Sequence, residues 1–438
     1  MARERYVLLG VAPARAPWFT EVGRWATSAA IPAEFIRCVS IAELRARLAS
    51  GRRFSALLLD GQLSGVDRDV LAAAAELDVP VIVVDARGAS PWTDLAPDAV
   101  LAPPFTRDGL LDVLAAHAVM VGAATEAPVP GGRSAPEAAD GELVAVLGPG
   151  GTGASITAVA LAQGLAQGEG GRSPGGPVLL ADLCRSADQA MLHDARVVVP
   201  GVQELVEAHR TGDVARQAVV DQTFEVAERG YRLLLGLRRP RQWTAIRPRA
   251  YDAALEGLQR TFAVTVCDLE ADLEGEAETG SVDVEERHLL ARAALARSTM
   301  AFVVGGHDMK GLFSLVRTIG EVLAFGTPAD RIVPVLNRAP RNPRTRAELT
   351  TALRDLIAAN VGPSARTLNP VMVPDRRVDL ALRDGVGLPK PMPSVLAGAY
   401  HAVRDRALPA LPSAAGAPTR VEPGSVTGFT AQEPTSRG

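Results

Sequence analysis

One glycine-rich turn constrains the fold of this chain more than any other stretch. Residues 143–147 (LVAVL) are apolar and indicate a short buried strand, and residues 156–167 have the alanine-rich spacing of a helix. Between them, residues 148–155 read Gly-Pro-Gly-Gly-Thr-Gly-Ala-Ser, with Gly148 and Gly153 five positions apart and a hydroxyl at Ser155. Strand, glycine-rich turn and helix in this order are typical of the Walker A loop, which binds phosphates.

The charged residue of that loop is missing, because Ala154 stands where a Walker A loop carries lysine. Backbone N–H groups and the start of the following helix can still hold a phosphate. A second interpretation remains open, in which the glycines persist only because the turn needs positive φ and close packing. We predict that the nucleotide-binding residues here are Gly148, Gly150, Gly151, Thr152, Gly153, Ala154, Ser155 and Ile156.

Length, charge and cysteine content narrow the class of protein. A chain of 438 residues is long enough for two domains, each with its own core. A net charge of −4 gives no general reason to expect a nucleic-acid partner. Cys38, Cys184 and Cys267 are widely spaced in apolar surroundings, which is typical of buried thiols in a reducing compartment. No apolar run approaches the length of a membrane span, so we expect a cytoplasmic protein that reaches a membrane or cell pole only through partners.

Two low-complexity stretches divide the chain. Residues 122–141 and 408–438 are rich in small residues and proline and have little to bury, so we predict a linker and a disordered tail. They delimit domains over residues 1–121 and 142–407. In both domains apolar strands alternate with helices, which predicts an α/β protein with two doubly wound parallel sheets. In the first domain we expect strands over 6–11, 34–39, 56–60, 79–84 and 99–102, and helices over 18–29, 41–49, 67–76 and 108–120.

The N-terminal domain resembles a response-regulator receiver domain. Asp60 ends the third predicted strand, where that family has its phosphoacceptor, and Pro103-Pro104-Phe105 ends the fifth, where it has Lys-Pro-Phe. The family's acidic pair after the first strand is replaced by Gly10-Val11-Ala12-Pro13. Phosphoryl transfer to Asp60 would need a Mg²⁺ site and a cation on the developing charge. We therefore predict a degenerate receiver that keeps Asp60 as a vestige and serves for structure or docking.

The C-terminal domain resembles the ParA/MinD superfamily of deviant-Walker ATPases over nearly all of residues 142–405. Asp182 ends the strand after the glycine-rich turn, and Asp268 ends a later strand, where that family has its Walker B acid. Asn337 matches the family's adenine-contacting asparagine, and Pro374-Asp375 matches its late Pro-Asp segment. The resemblance implies binding of ATP or ADP, with Mg²⁺ held by Ser155 and Asp268, catalytic roles for Asp182 and Asp268, and nucleotide contacts by Asn337, Pro374 and Asp375.

The order of the two domains is similar to CpaE/TadZ proteins and to their septum-site-determining (Ssd-type) branch, whose loop has the same Gly-Ala-Ser ending. That resemblance implies a homodimer and partners in Flp/Tad pilus, secretion or septum machinery. Both lysines of the family's loop are missing, at Pro149 and Ala154, and Cys184 replaces the second acid of its Asp-x-Asp pattern. Electrostatic groups of this kind contribute about 3 kcal/mol each, so we expect little or no ATP hydrolysis.

Two alternatives remain open from the sequence. One is an active ATPase switch that cycles between monomer and dimer and recovers a cation from elsewhere, for which Arg172 in the Gly/Pro-rich insertion is a candidate. The other is a DNA-partitioning protein. The run Glu270–Glu286 carries many acids and no base, and it predicts a mobile acidic insertion rather than a metal site because its spacing matches no ligand template.

Overall fold

The computed structural model describes residues 5–121 and 141–407, other than residues 14, 64, 90, 91, 171 and 364. The predicted tail and all but the last residue of the predicted linker lie outside the described residues, so both stay predictions. The described chain contains two sheets, one on each side of the linker.

The N-terminal sheet has five parallel strands in the order β2-β1-β3-β4-β5. Every residue of β1, β3 and β4 is buried, as expected for parallel strands covered by helices on both faces. Helices α2 and α3 cover one face, and α1 and α4 cover the other. The strands are β1 (Tyr6–Val11), β2 (Ala33–Cys38), β3 (Ala56–Asp60), β4 (Val81–Val84) and β5 (Ala99–Leu101), and the helices are α1 (Pro17–Thr27), α2 (Ile41–Leu48), α3 (Arg68–Ala75) and α4 (Arg107–His117).

Local side chains set where three of these helices begin. Ser40, Asp67 and Thr106 are the N-caps of α2, α3 and α4, and each side chain accepts a hydrogen bond from a backbone N–H in the first turn. The strands and helices predicted for this domain are confirmed. Their bounds differ by up to three residues: α1 ends at Thr27, β4 begins at Val81, and α4 ends at His117.

The C-terminal sheet has eight strands in the order β13-β12-β11-β6-β10-β7-β9-β8. It is mostly parallel, and the exception is β8, which pairs antiparallel with β9. The predicted α/β class, with two doubly wound and mostly parallel sheets, is confirmed. The short antiparallel strand β8 was not predicted, because its three residues show no pattern in the sequence. The strands are β6 (Glu142–Leu147), β7 (Val178–Asp182), β8 (Phe224–Val226), β9 (Tyr231–Leu234), β10 (Val264–Leu269), β11 (Met300–Gly305), β12 (Ile332–Ala339) and β13 (Val371–Pro374).

Helices cover both faces of this sheet. On one face α5 (Ala154–Ala166) packs against α16 (Met392–Ala407), so closely that a Cβ at Gly164 would lie 2.3 Å from the carbonyl oxygen of Pro393. The other face is covered by α7, α9, α12, α13 and α14. The remaining helices are α6 (Gln189–Leu192), α7 (Val202–Ala208), α8 (Arg216–Val220), α9 (Pro248–Thr261), α10 (Glu276–Thr279), α11 (Val282–Arg287), α12 (Leu289–Arg297), α13 (Met309–Ala324), α14 (Pro343–Asn360) and α15 (Asp379–Arg383).

Polar contacts join the two domains at the start of α3. The Arg68 guanidinium lies 2.6 Å from the Asp213 carboxylate, and the Arg68 backbone N–H donates to the carbonyl of Arg210. Asp69 accepts a hydrogen bond from the backbone N–H of Arg249, next to the first residue of α9. The N-terminal end of α3 therefore provides several of the contacts between the two domains, and Asp94 and Glu76 provide others.

The acidic run from Glu270 to Glu286 is not a structureless insertion. It includes α10 and α11, and four of its eight acids pair with basic residues outside the run. Arg292 lies 3.9 Å from Glu278 and from Glu285.

None of the helices in the described part of the chain is both long and apolar enough to cross a membrane.

Candidate nucleotide site

The glycine loop, residues 148–153, joins β6 to α5 in a conformation that only glycine adopts easily. Gly151 and Gly153 have φ of +82° and +87°. A Cβ at Gly148 would lie 2.4 Å from the carbonyl oxygen of Val304 on β11, and a Cβ at Gly153 would lie 2.4 Å from Nδ2 of Asn337. Packing therefore requires glycine at these positions with or without a phosphate, so the glycines alone do not decide between the two interpretations.

Side chains hold the loop in this shape. The Thr152 hydroxyl donates to the carbonyl of Pro149 at 2.7 Å. Asn337 Nδ2 donates to the carbonyl of Thr152 at 2.8 Å, and its Oδ1 accepts from the backbone N–H of Arg338 at 2.9 Å. Asn337 thus lies at the loop, and its amide nitrogen and oxygen are both hydrogen-bonded to the protein. A contact between Asn337 and adenine stays a prediction.

The first turn of α5 offers backbone donors to an anion. The N-cap is Gly153, which has no side chain to satisfy the N–H groups of Ala154, Ser155 and Ile156. These donors, together with the helix dipole, favour a negative charge at this point. The methyl group of Ala154 packs against the core and supplies no charge.

Two acids lie beside the loop, at the ends of adjacent strands. Asp182 ends β7 and pairs in register with Asp268 on β10, and both are buried, at 0% and 1% exposed. Asp182 accepts hydrogen bonds from the backbone N–H groups of Cys184 and Gln189. Burial, and then the charge of Asp268, raise the pKa of Asp182 well above its ordinary value. Burial also raises the pKa of Asp268 to about 6, against the lowering effect of the Gln189 and Ser155 side chains.

Gln189 is a site residue that the sequence analysis missed. Its Nε2 donates to Asp268 Oδ2 at 2.7 Å and to the carbonyl of Ser155 at 3.2 Å, so it ties the second acid to the first turn of α5. The sequence does not reveal this role, because a glutamine at the start of a short helix is common and has no motif that marks it as a site residue.

The residues present fit a Mg²⁺ ion. Oδ1 of Asp268 is buried and has no hydrogen-bond partner among the described residues, while the Ser155 side chain is close enough to affect its pKa. A buried, unpaired carboxylate oxygen is costly unless a cation or water satisfies it. Ser155 and Asp268 would hold the ion, which would neutralise phosphate charge when bound with a nucleotide.

The residue at the second position of the acid pattern is a neutral thiol. The sulfur of Cys184 lies within 4.8 Å of a carboxylate oxygen of Asp182 and of Asp268. Burial, followed by the charge of Asp268, raises the pKa of Cys184 well above its ordinary value. Such a thiol carries no charge near neutral pH and cannot replace a carboxylate beside an attacking water.

A cavity of about 250 Å³ brings together the remaining predicted residues. We call it the side pocket. It lies beside the glycine loop, on the side of β12 and β13. Its three arginines, Arg338, Arg376 and Arg377, were not predicted, because their proximity to the loop depends on the order of the strands. The side pocket is lined by Gly153, Ile156, Asn337, Arg338, Pro374, Asp375, Arg376, Arg377, Val378, Asp379 and Met392.

The structure argues against one candidate cation and reveals another. Arg172 pairs with Asp405 at 2.7 Å and follows the far end of α5, roughly 20 Å along that helix from the glycine loop. Arg185 follows β7 and lies 3.7 Å from Glu270, which follows β10. Because these strands end at the edge of the sheet that carries the loop, Arg185 is the better placed of the two.

In the first domain, Asp60 is buried at the end of β3. Its carboxylate accepts from Trp18 Nε1 and from the backbone N–H of Gln62, both at 2.9 Å. On the neighbouring strand end, hydrogen bonds from Arg87 hold the pKa of the Asp85 carboxyl at about 2. The vestigial role of Asp60 stays a prediction.

No protein-family model and no curated protein matches this chain. Similar solved structures include a ParA family ATPase from Chlorobium tepidum, which is 16% identical, with 60% of this chain and 98% of that chain covered and a TM-score of 0.44. The cell division ATPase MinD of Pyrococcus furiosus is 17% identical, with 60% and 99% covered and a TM-score of 0.41. The septum site-determining protein MinD of Pyrococcus horikoshii, complexed with Mg-ADP, is 17% identical, with 60% and 96% covered and a TM-score of 0.42. These comparisons assign the chain to no family.

Proposed function

We propose that the C-terminal domain is a ParA/MinD-like module that binds an adenine nucleotide weakly and hydrolyses it little or not at all. One observation carries the proposal. The glycine loop keeps its phosphate-binding backbone at the head of α5, beside Ser155 and Asp268, while Pro149 and Ala154 supply no charge. A phosphate can be held there by N–H donors, but the groups that neutralise a transferring phosphoryl group are missing.

The expected loss of rate is large. Phosphoryl transfer depends on positioning and on neutralising charge at the transferred group. Each missing electrostatic group costs on the order of a hundredfold in rate. Two lysines are absent, and Cys184 is a neutral thiol where the resembling family has a carboxylate. Three such losses leave almost no turnover.

We further propose a cytoplasmic positioning protein of the CpaE/TadZ type that recruits pilus, secretion or septum machinery. The strand order 2-1-3-4-5 of the first domain supports a degenerate receiver-like module, since flavodoxin-like and receiver folds share it. Docking of α3 on the second domain supports a structural role for that module.

A nucleotide-independent homodimer is part of the proposal. Large apolar side chains are exposed in the segments of chain that follow β7 and β11. Large apolar side chains that are exposed are available for a protein contact. These side chains are Met191, Val197, Val198, Val199, Met309 and Phe313.

Phosphate release by the full chain with Mg-ATP tests the proposal. We expect release at background, equal for the wild type and for Asp268→Ala. Turnover that Asp268→Ala abolishes would contradict it.

Arg185 favours a second candidate, an active ATPase switch that cycles between monomer and dimer. Its guanidinium lies at the acid-bearing edge and is held only by Glu270 at 3.7 Å among the described residues. In that case light scattering should detect a dimer that forms with ATP, decays with time, and is lost in Arg185→Ala. Arg344→Ala, which removes an exposed arginine on α14, is the control.

A further inference from the structure

We propose that the nucleotide site recognises the nucleoside and its α-phosphate, so that the β- and γ-phosphates add little to affinity, and that Arg338 and Arg377 are the residues that provide this selectivity. The inference rests on the proposed nucleotide binding. It names the class of ligand, an adenine nucleotide whose nucleoside and α-phosphate make the main contacts.

The positively charged side chains of this site lie near the opposite end of the glycine loop from the lysine of a Walker A loop. In a Walker A loop the lysine reaches the β- and γ-phosphates, and backbone N–H groups cradle the α- and β-phosphates. Here Ala154 leaves the first position uncharged, whereas three arginines and two aspartates line the side pocket next to Gly153 and Ile156. The side pocket therefore carries a net positive charge beside the first turn of α5.

Two of these arginines are available to a ligand. Arg376 donates to the backbone carbonyl of Asp375. The side chains of Arg338 and Arg377 make no hydrogen bond or ion pair with the described residues, and both are exposed at the mouth of the cavity. A guanidinium matches a phosphate with two parallel hydrogen bonds and also stacks on aromatic rings. Both properties suit the junction between a base and its α-phosphate.

Neighbouring groups leave recognition to these arginines. The amide of Asn337 already donates to Thr152 and accepts from Arg338, so it has only part of its hydrogen-bonding capacity left for a base. Pro374 and Met392 give the side pocket apolar surface for a ring. A volume of about 250 Å³ is slightly below the usual range for small-molecule pockets, which fits the base end of a nucleotide rather than the whole molecule.

Isothermal titration of the full chain with adenosine, AMP, ADP and ATP in the presence of Mg²⁺ separates the contribution of each phosphate. We expect the largest step between adenosine and AMP, at least about tenfold, and ADP and ATP within about twofold of each other. Arg377→Ala and Arg338→Asn should each shrink the adenosine-to-AMP step severalfold. Asparagine is used at position 338 because φ is +53° there and asparagine tolerates that conformation.

Arg344→Ala is the matched control, since it removes an exposed arginine of α14 that is absent from the lining of the side pocket. Thermal unfolding checks that each variant is folded. If the largest step falls between AMP and ADP or between ADP and ATP, or if both arginine variants leave the steps unchanged, the inference is wrong while nucleotide binding stands. If none of the four ligands binds, the proposed function itself fails, and this inference fails with it.

Discussion

At the scale of single residues, the glycine loop contains positions with very different tolerance. Gly153 combines a left-handed φ of +87° with close contact to Asn337. Gly150 has nothing within 4 Å of the place where a Cβ would stand. Two glycines three positions apart therefore have different reasons to be glycine, and substitution separates them.

We expect Gly153→Ala to lower the free energy of unfolding by about 1–3 kcal/mol, because the left-handed backbone is strained for alanine and the methyl group displaces the Asn337 amide. Gly150→Ala should change it by less than about 0.5 kcal/mol. Urea denaturation of both variants provides the comparison. Equal losses would show that the loop is not fixed by Asn337.

One of the buried acids of the first domain, Asp85, gives a pH-dependent prediction. The pKa of Asp85 is lowered to about 2, mainly by hydrogen bonds from Arg87, so the folded state binds fewer protons than the unfolded state between about pH 4 and pH 2. Its contribution to stability is therefore complete above pH 4 and is lost as the pH falls toward 2. Because Arg87 is exposed and solvent screens the pair, we expect about 1 kcal/mol.

Asp85→Asn should accordingly destabilise the protein by about 1 kcal/mol at pH 7, and the difference should disappear near pH 2. Denaturation curves of the wild type and Asp85→Asn across this range measure it. Asp78→Asn replaces an exposed acid of the same domain and serves as the reference. A constant difference at every pH would contradict the assignment.

At the scale of elements, sequence reasoning succeeded where the pattern is local. The strands β1, β3, β7 and β11 are continuous apolar runs, and the acids Asp182 and Asp268 follow directly from their positions at strand ends. It failed for β8, whose three residues are too few to show a period. It also failed for α10 and α11, which are short and lie in a run so rich in acids that no apolar helical pattern is visible. Arg338 and Gln189 could not be placed because their neighbours come from distant parts of the chain.

The contact between α3 and α9 is an element-scale prediction. Asp69 sits at the amino end of α9, where its carboxylate accepts the Arg249 N–H and faces the positive end of the helix dipole. Asp69→Ala should cost about 1 kcal/mol of unfolding free energy. Glu76→Ala removes an exposed partner of Arg249 and should cost less than about 0.5 kcal/mol. Denaturant titrations of both variants check the difference, and a larger effect of Glu76→Ala would refute this account of docking.

At the scale of the whole molecule, the missing loop charge bears on the proposed homodimer. In the resembling family a lysine at the position of Pro149 reaches the partner's phosphates. Without that charge, we expect ATP to contribute little across the proposed interface, and we expect the contact to use exposed apolar side chains such as Met309 and Phe313. We expect the same sedimentation coefficient with ATP, with ADP and without nucleotide. Conversion from monomer to dimer by ATP alone would reveal a substitute cation and favour the switch.

A loop whose conformation is fixed by the protein's own hydrogen bonds cannot change its conformation to signal that a ligand is bound. The hydrogen bonds from Asn337 to the carbonyl of Thr152 and from Gln189 to the carbonyl of Ser155 hold the loop and the first turn of α5 through the protein's own side chains. In a molecular switch, by contrast, the ligand's arrival orders a segment that was previously free. A nucleotide that binds to a loop held in this way would change the conformation of the loop and of the surrounding surface little. A partner protein would then bind equally well with and without the nucleotide. The bound nucleotide would be a structural constituent of the protein rather than a regulatory signal.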